Sequence, residues 1–491
     1  MDKRTVTSTF AEKRGCAGKR KPRPPFRAFA TGRCLGLVLL TLALQDALAL
    51  GPVEVPDTWG GDVATRARLG GNWGGARDTL GARGVVLDID FALTPQAVMS
   101  GGRDEGITAW GNTVFTLNVD TGKAGWWPGG FFNVKGDVSY GNAGLGEVGA
   151  IVPPNMSTLV PAALDEDAGL ESATFTQFLS PKIGLTVGKV YTFDLAHGEF
   201  KGNMHTQFMN TAFNLPMVTA PVPISAYGGG LVLLPAPSVS VFALALDASG
   251  KVTEDDVADA FDEGVTFLGA ASLKVNLFGR VGHQTLMGTW SDKTRLSLDQ
   301  DPSNVGRLLL TERFPRLGNP GPLLERILAD RFPGLLVPVQ PAAQEEETWA
   351  ISYGFEQYVW QPDGDPARGL GVFFNVGVSD GNPNPVEYSW TLGIGGKGML
   401  PGRGRDSFGA GWARTEFSDE FVPFLRERLP LGLENEDVFE IYYNASITPW
   451  LNVSPSIQVL DAALESTLKG SNRLEEVDTA AVFLLRTFVR F

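Results

Sequence analysis

The stretch "TAAVFLLRTFVRF", residues 479–491, decides how the rest of the chain is read. Its odd positions are Ala481, Phe483, Leu485, Thr487, Val489 and Phe491; its even positions include Arg486, Phe488 and Arg490. Successive side chains of a strand point to opposite faces, so one face is apolar and the other carries both arginines. A helix would mix Arg486 with Val489 and Arg490, and the strand reading is cleaner. A strand at the end of a chain is an exposed edge unless it has a neighbour on each side. Closing a barrel supplies both neighbours, and requires this strand to pair with the first one, near Val85.

Working outward, residues 1–49 read as a removable export signal. Basic side chains crowd its start (Lys13, Arg14, Lys19, Arg20, Lys21, Arg23, Arg27 and Arg33), and a short apolar run, "CLGLVLLTLAL", follows. Ala47–Ala49 then gives the small-x-small pattern of a cleavage site. The run is too short for a spanning helix, and no adjacent arginine pair points to a twin-arginine route. Both cysteines, Cys16 and Cys34, lie in this leader. The mature chain then has no disulfide, no thiolate metal site and no cysteine nucleophile. A cysteine-free exported chain built of strands suits a bacterial envelope.

The leader also masks the charge. It takes ten of the 41 basic and three of the 55 acidic residues, leaving 31 against 52, formally −21. Phosphate binding rests on Lys and Arg, so a nucleic-acid partner is not expected. Beyond the leader, "ISAYGGGLVLLPAPSVSVFALAL" runs 23 residues without a charge. Its glycines, with Pro235 and Pro237, break a helix and favour two strands around a tight "PAP" turn.

After a lead-in at 50–68, "GGNWGGARDTLGARG" allows one or two helical turns between Gly75 and Gly84, and then alternation begins. Val85, Leu87, Ile89 and Phe91 oppose Asp88 and Asp90. Thr113, Phe115, Leu117 and Val119 oppose Thr116, Asn118 and Asp120. Phe132, Val134, Val138 and Tyr140 oppose Asn133, Lys135, Asp137 and Ser139. Polar faces of this kind line a water-filled barrel. Similar segments recur to the end, some joined by short turns ("SPK", "LFGR", "TPWLN"). Others are separated by long connections, notably Gly141–Gly169 and Leu296–Glu347, the latter holding a helix-like "PLLERILADRF". Trp126, Trp127, Trp360, Tyr442, Tyr443 and Trp450 sit near strand ends, where membrane girdles form.

Motifs for other chemistry fail on context. "GLGEVG" (144–149) matches the dinucleotide fingerprint, but the prolines of "AIVPPNM" deny it the helix that would hold a pyrophosphate. "HGE" (197–199) echoes a zinc-deaminase element without the paired cysteines. The three histidines, His197, His205 and His283, have no helical ligand spacing, and there is no G-x-S-x-G elbow. Glu254 and Asp256 lie in a charged loop rather than flanking a sugar. No cofactor and no metal are expected.

Three segments together carry a resemblance. They are "NWGGARDTLGARGV" (72–85), with Trp73 and Arg77; "LTVGKVYTFDLAHGEFKGNMHTQFMNTAFNLP" (185–216), with Gly188–Lys189, Asp194, Asn203, Phe208, Asn210 and Phe213; and "DVFEIYYNASITPWLNVSPSIQVL" (437–460), with Glu, Tyr-Tyr, Thr-Pro and Pro-x-x-Gln. The mature chain, from about Leu69 to Phe491, resembles the carbohydrate-selective porin (OprB) family of Gram-negative outer membranes. It departs after Gln458, where "VLDAALEST" replaces the family's aromatic, aliphatic and proline residues, and in the long, proline-rich 296–347 stretch.

The resemblance implies an all-β protein: a transmembrane antiparallel β-barrel of about sixteen strands, with short periplasmic turns and long extracellular loops. Residues 1–49 would be the signal peptide, 50–68 a flexible lead-in, 69–83 an N-terminal periplasmic segment and 84–491 the outer-membrane barrel. It further implies a monomeric passive channel, not an enzyme, with carbohydrate solutes, outer-membrane lipid and the barrel-assembly machinery as partners. Phe491 would be the signal that machinery reads. Parity places Asp88, Asp90, Asn118, Lys135 and Asp137 on lumen faces; the family segment adds Lys189, Asp194, Asn203 and Asn210 on or near an inward-folded loop. Each is a candidate for the substrate path, and each is equally explained by lumen solvation or a cross-barrel pair. Rival readings are a general or acid-selective porin on the same fold, an outer-membrane barrel enzyme, and a secreted glycan-binding β-protein.

Overall fold

The computed structural model describes residues 53–491 except 54, 196–197, 256, 301–325, 327–340, 363–364, 366–367, 421–434, 464–465 and 470–472. The export signal, His197, Asp256 and, but for Arg326, the helix-like stretch at 322–332 lie outside the described residues. Among the described residues sixteen strands close one antiparallel barrel. They are β1 (Val85–Gly102), β2 (Gly106–Asp120), β3 (Gly130–Gly141), β4 (Ala168–Ser180), β5 (Ile183–Tyr191), β6 (Ser225–Ala236), β7 (Val239–Asp247) and β8 (Val265–Leu277). The round continues with β9 (Arg280–Ser291), β10 (Thr348–Trp360), β11 (Gly369–Ser379), β12 (Val386–Lys397), β13 (Ser407–Phe417), β14 (Glu436–Thr448), β15 (Leu451–Asp461) and β16 (Asp478–Arg490). Each pairs with its neighbours in sequence, and β1 with β16.

The closing seam follows from the alternation at 479–491. On one side Asp90 registers with Arg490 and Ala92 with Phe488; on the other, Ser454 registers with Arg486. Even positions Val482, Leu484, Arg486 and Phe488 are buried inside, while odd positions face outward. With both edges paired, the barrel of the described residues leaves no strand edge open to lipid. The charge-free 224–246 stretch forms the hairpin of β6 and β7. No helix among the described residues is long and apolar enough to cross a membrane; strands do the crossing.

Connections sort by rim. Turns at 181–182, 237–238, 278–279 and 449–450 share one end with 121–129, 361–368 and 398–406; the other end carries 142–167, 192–224, 248–264, 292–347, 418–435 and 462–477. The first is the periplasmic rim and the second the extracellular one. Trp126, Trp127 and Trp360 are exposed, as a girdle requires, whereas Tyr442 is buried and faces the lumen.

At the periplasmic rim the helix Ala76–Ala82 docks on the seam. Arg77 lies 5.2 Å from the Trp59 ring and 4.8 Å from that of Trp73. Its guanidinium donates to Asp88 at 2.5 Å, to the Leu87 carbonyl at 2.7 Å and to the Phe491 carbonyl at 3.1 Å.

Candidate functional site

A barrel of this size leaves an aqueous bore unless something fills it. Here the 192–224 connection turns inward and descends to the periplasmic third, where Arg486 near the end of β16 donates to the carbonyls of Met204 (2.6 Å) and Gln207 (2.8 Å). A loop taken into a wall must satisfy its backbone groups there. Buried wall carboxylates do this, each accepting from two consecutive N–H groups. Glu356 takes Glu199 at 2.6 Å and Phe200 at 3.1 Å. Glu440 takes Met209 at 2.8 Å and Asn210 at 3.0 Å, and is itself held by Ser456. Glu436 does the same for Ile151 and Val152 of the 142–167 connection. Charge-assisted bonds of this kind are roughly twice as strong as neutral ones.

Aromatic packing completes the anchorage. Phe208 stacks on Phe213 at 4.4 Å and meets Tyr442 and Phe373 edge-on, and Phe200 meets Tyr358 at 4.8 Å. The wall opposite is notched by glycine. A Cβ at Gly371 would fall 2.2 Å from the Phe200 ring, and one at Gly411 2.7 Å from that of Phe213. Phe208 and Phe213, expected only as motif residues, are the wedge that seats the loop against β11–β14.

The sequence-predicted site residues take these places. Asp88 pairs with Arg68 and Arg77 at the seam, and Asp90 faces Arg490 at 3.5 Å. Asn118 accepts from Asn133 and Asp137 from Asn112. Lys135 and Asp194 come together at 3.0 Å, with Glu171 at 3.1 Å and the Tyr191 ring at 4.5 Å. Lys189 turns to the 248–264 connection, donating to the Val252 and Glu254 carbonyls and pairing with Asp255. Its neighbour Gly188 has φ of 130°, and a Cβ there would lie 2.1 Å from the Ala173 carbonyl. Asn203 accepts from the His205 and Thr206 amides. Asn210 caps the turn Thr211–Asn214 and donates to Gln458. Of the nine, Lys135 and Asp194 alone touch one another; Lys189 lines a cavity of about 550 Å³ beside the 248–264 connection, and none lines the lumen cavity beside the loop.

That cavity, of about 420 Å³, lies between the loop and β7–β11. Its lining runs from Pro385 and Phe417 near the extracellular rim to His283 and Glu356 near the periplasmic one. Beside its lower end the Glu199 carboxylate accepts from Lys397 at 2.7 Å and Tyr358 at 3.0 Å, with His283 3.6 Å away. Burial would raise the Glu199 carboxyl, but His283 and Lys397 outweigh it and hold the group well below the usual carboxylate range. Lys201 also lines the cavity; burial lowers its ammonium, with Glu356 opposing. Among the described residues no group of three or more potential metal ligands occurs.

Sequence reasoning missed Glu356, His283, Lys201 and Lys397. The signal for Glu356 was present: it is the lone acid in "WAISYGFEQYVW", on the face shared by Ala350, Ser352 and Gly354. Glu440 stood in a quoted family segment without an assigned role.

A profile described as "Carbohydrate-selective porin, OprB family" matches residues 104–491. Porin B of Pseudomonas aeruginosa is 30% identical over 149 residues, 27% of this chain and 30% of that protein, so the match spans under a third of that relative's length. Among solved structures, the high-pH structure of Pseudomonas putida OprB superposes with a TM-score of 0.68 at 18% identity, covering 87% of this chain and 99% of that one. The low-pH structure of the same protein gives 0.50 at 14% identity over the same shares. At these identities the likeness is one of fold.

Proposed function

The chain belongs to the carbohydrate-selective porin, OprB family, and from that premise we propose that it is a passive diffusion channel for mono- or oligosaccharides. The protein is a Gram-negative outer-membrane barrel, and its family and fold are those of a channel. The observation that carries the reading is the cavity on the β7–β11 side, whose lining extends from one rim toward the other while the loop closes off the opposite side. A pyranose presents hydroxyls at its edge and C–H groups on its faces. Lys201, Glu356, His283 and Asn375 offer donors and acceptors beside apolar wall. Such contacts can replace hydration while staying loose enough for release.

In this reading Lys135, Asp194, Asn203 and Asn210 act on permeation by holding the loop, and Asp88 and Asp90 by holding the seam. The family resemblance is the ground for reading the channel as monomeric. Phe491 is the residue read by the assembly machinery. Lys201 favours a second reading, selectivity for acidic sugars. Single-channel conductance in a planar bilayer tests both. Block by glucose or maltooligosaccharides is expected. Block by gluconate alone would favour the acid-selective channel, and indifference to every sugar would leave a general porin.

A further inference from the structure

The lumen of a water-filled barrel is polar, yet part of this cavity is not. Phe242 of β7, Leu268 and Ala270 of β8 and Met287 of β9 point inward and line it, facing Leu195 and Val222 of the loop. Other inward apolar residues of the same wall, such as Leu244 and Leu246, are fully buried and lie outside the cavity lining. Phe242, Leu268 and Ala270 belong to the same buried cluster as these, with Met287, Leu195 and Val222 packed against it, and the four form the part of that cluster that borders the cavity. Water there has few partners, and a solute with an apolar face displaces it favourably, at roughly 25 cal/mol per Å².

Following β8 and β9 toward the periplasm, the lining changes character. Ala270 gives way to Ser272 and Met287 to Thr285, whose hydroxyls bond at 3.0 Å, and then to His283. Lys201 and Glu356 stand on this lower floor. From Leu268 to Ser272, or from Met287 to His283, is about 14 Å at about 3.4 Å per residue. That is the order of length of one sugar ring joined end to end with one aromatic ring. The volume is in the range of small-molecule pockets, typically about 300–1,000 Å³.

We propose that the lumen holds an amphipathic site for glycosides with an aromatic aglycone, the sugar on the Ser272, Thr285 and Lys201 floor and the aglycone against Phe242, Leu268 and Met287. The inference rests on the carbohydrate-channel reading and narrows it. An aldohexose alone fills the polar half and leaves the apolar wall wet.

The test is current block of the purified full chain in planar bilayers by glucose, 4-nitrophenyl β-glucoside and 4-nitrophenol. In the native channel the aryl glucoside should block at least about 10-fold more tightly than glucose and than the free phenol, a difference worth about 1.4 kcal/mol. The double variant Leu268→Ser, Met287→Ser should bring the aryl-to-glucose ratio toward one. Leu286→Ser, on the outward face of β9, should keep it, and open-channel events certify that each variant is folded. Equal block by glucose and aryl glucoside in the native channel overturns the inference and leaves the carbohydrate reading standing. Preference retained in the double variant also overturns it, as does phenol blocking as well as its glucoside. Indifference of an open channel to every sugar removes the carbohydrate reading and the inference together.

Discussion

Single side chains set the shape of this lumen through backbone they do not belong to. Glu440 accepts from the Met209 and Asn210 amides inside the barrel, where an unsatisfied donor costs about 1–3 kcal/mol. Glu440→Ala strands both donors and should release the loop, at a cost of about 2 kcal/mol or more. Single-channel recordings should show higher and noisier conductance, with Glu440→Gln intermediate because it keeps an acceptor. Unchanged conductance in Glu440→Ala would mean that the aromatic wedge holds the loop alone. Glu199 permits a pH test. Its folded pKa is depressed, so its anchoring is present above the unfolded value of about 4.3 and is lost only as pH falls through the lower folded value. The conductance difference between native protein and Glu199→Gln should therefore persist from pH 7 down to about pH 4. Convergence of the two near pH 4–5 would show an ordinary carboxyl there.

Elements explain why the loop lies where it does. The periodic strands of β11–β13 replace inward side chains with glycine where loop rings press on them. Gly371→Val would put branched carbon where the Phe200 ring sits. Overpacking of this kind costs typically about 1–3 kcal/mol, and the ring rather than the hydrogen-bonded strand should yield. Conductance should rise and sugar block weaken while heat-modifiable migration of the barrel on gels stays close to native; a variant that keeps native block would refute the notch. The strands themselves were legible because a two-residue period and one buried or lumen face are local properties, as Val85–Phe91 and Phe132–Tyr140 illustrate. The loop was not, because its partners are distant in sequence: Glu356 lies 156 residues from Phe200 and Glu440 231 from Met209. The family-like segment marked Asn203 and Asn210 as path residues, while their side chains are engaged in turns and caps within or beneath the loop. The apolar lining of β7–β9 ran against the expectation of a polar lumen face, and whether an inward Leu268 borders a cavity cannot be told until the loop's course is known.

At the scale of the molecule, closure concentrates several duties at one seam. The Phe491 amide donates to the Ile89 carbonyl at 2.8 Å and its carbonyl accepts from Arg77. Both are main-chain contacts, and neither requires an aromatic ring. The ring is itself 38% exposed, so it adds little to the folded barrel. Replacing it should cost the finished channel well under about 1 kcal/mol, the usual effect of a surface substitution away from special features. If the ring is read during insertion, the loss falls on assembly instead. Phe491→Ser should then reduce the heat-modifiable barrel in the outer-membrane fraction several-fold. Channels that do form should match native conductance and sugar block. Detergent refolding of purified chains, where no assembly machinery acts, should give equal yields for both proteins. Native levels of Phe491→Ser in the outer membrane would remove the assembly role; a parallel loss in detergent refolding would place the ring's contribution in the barrel itself.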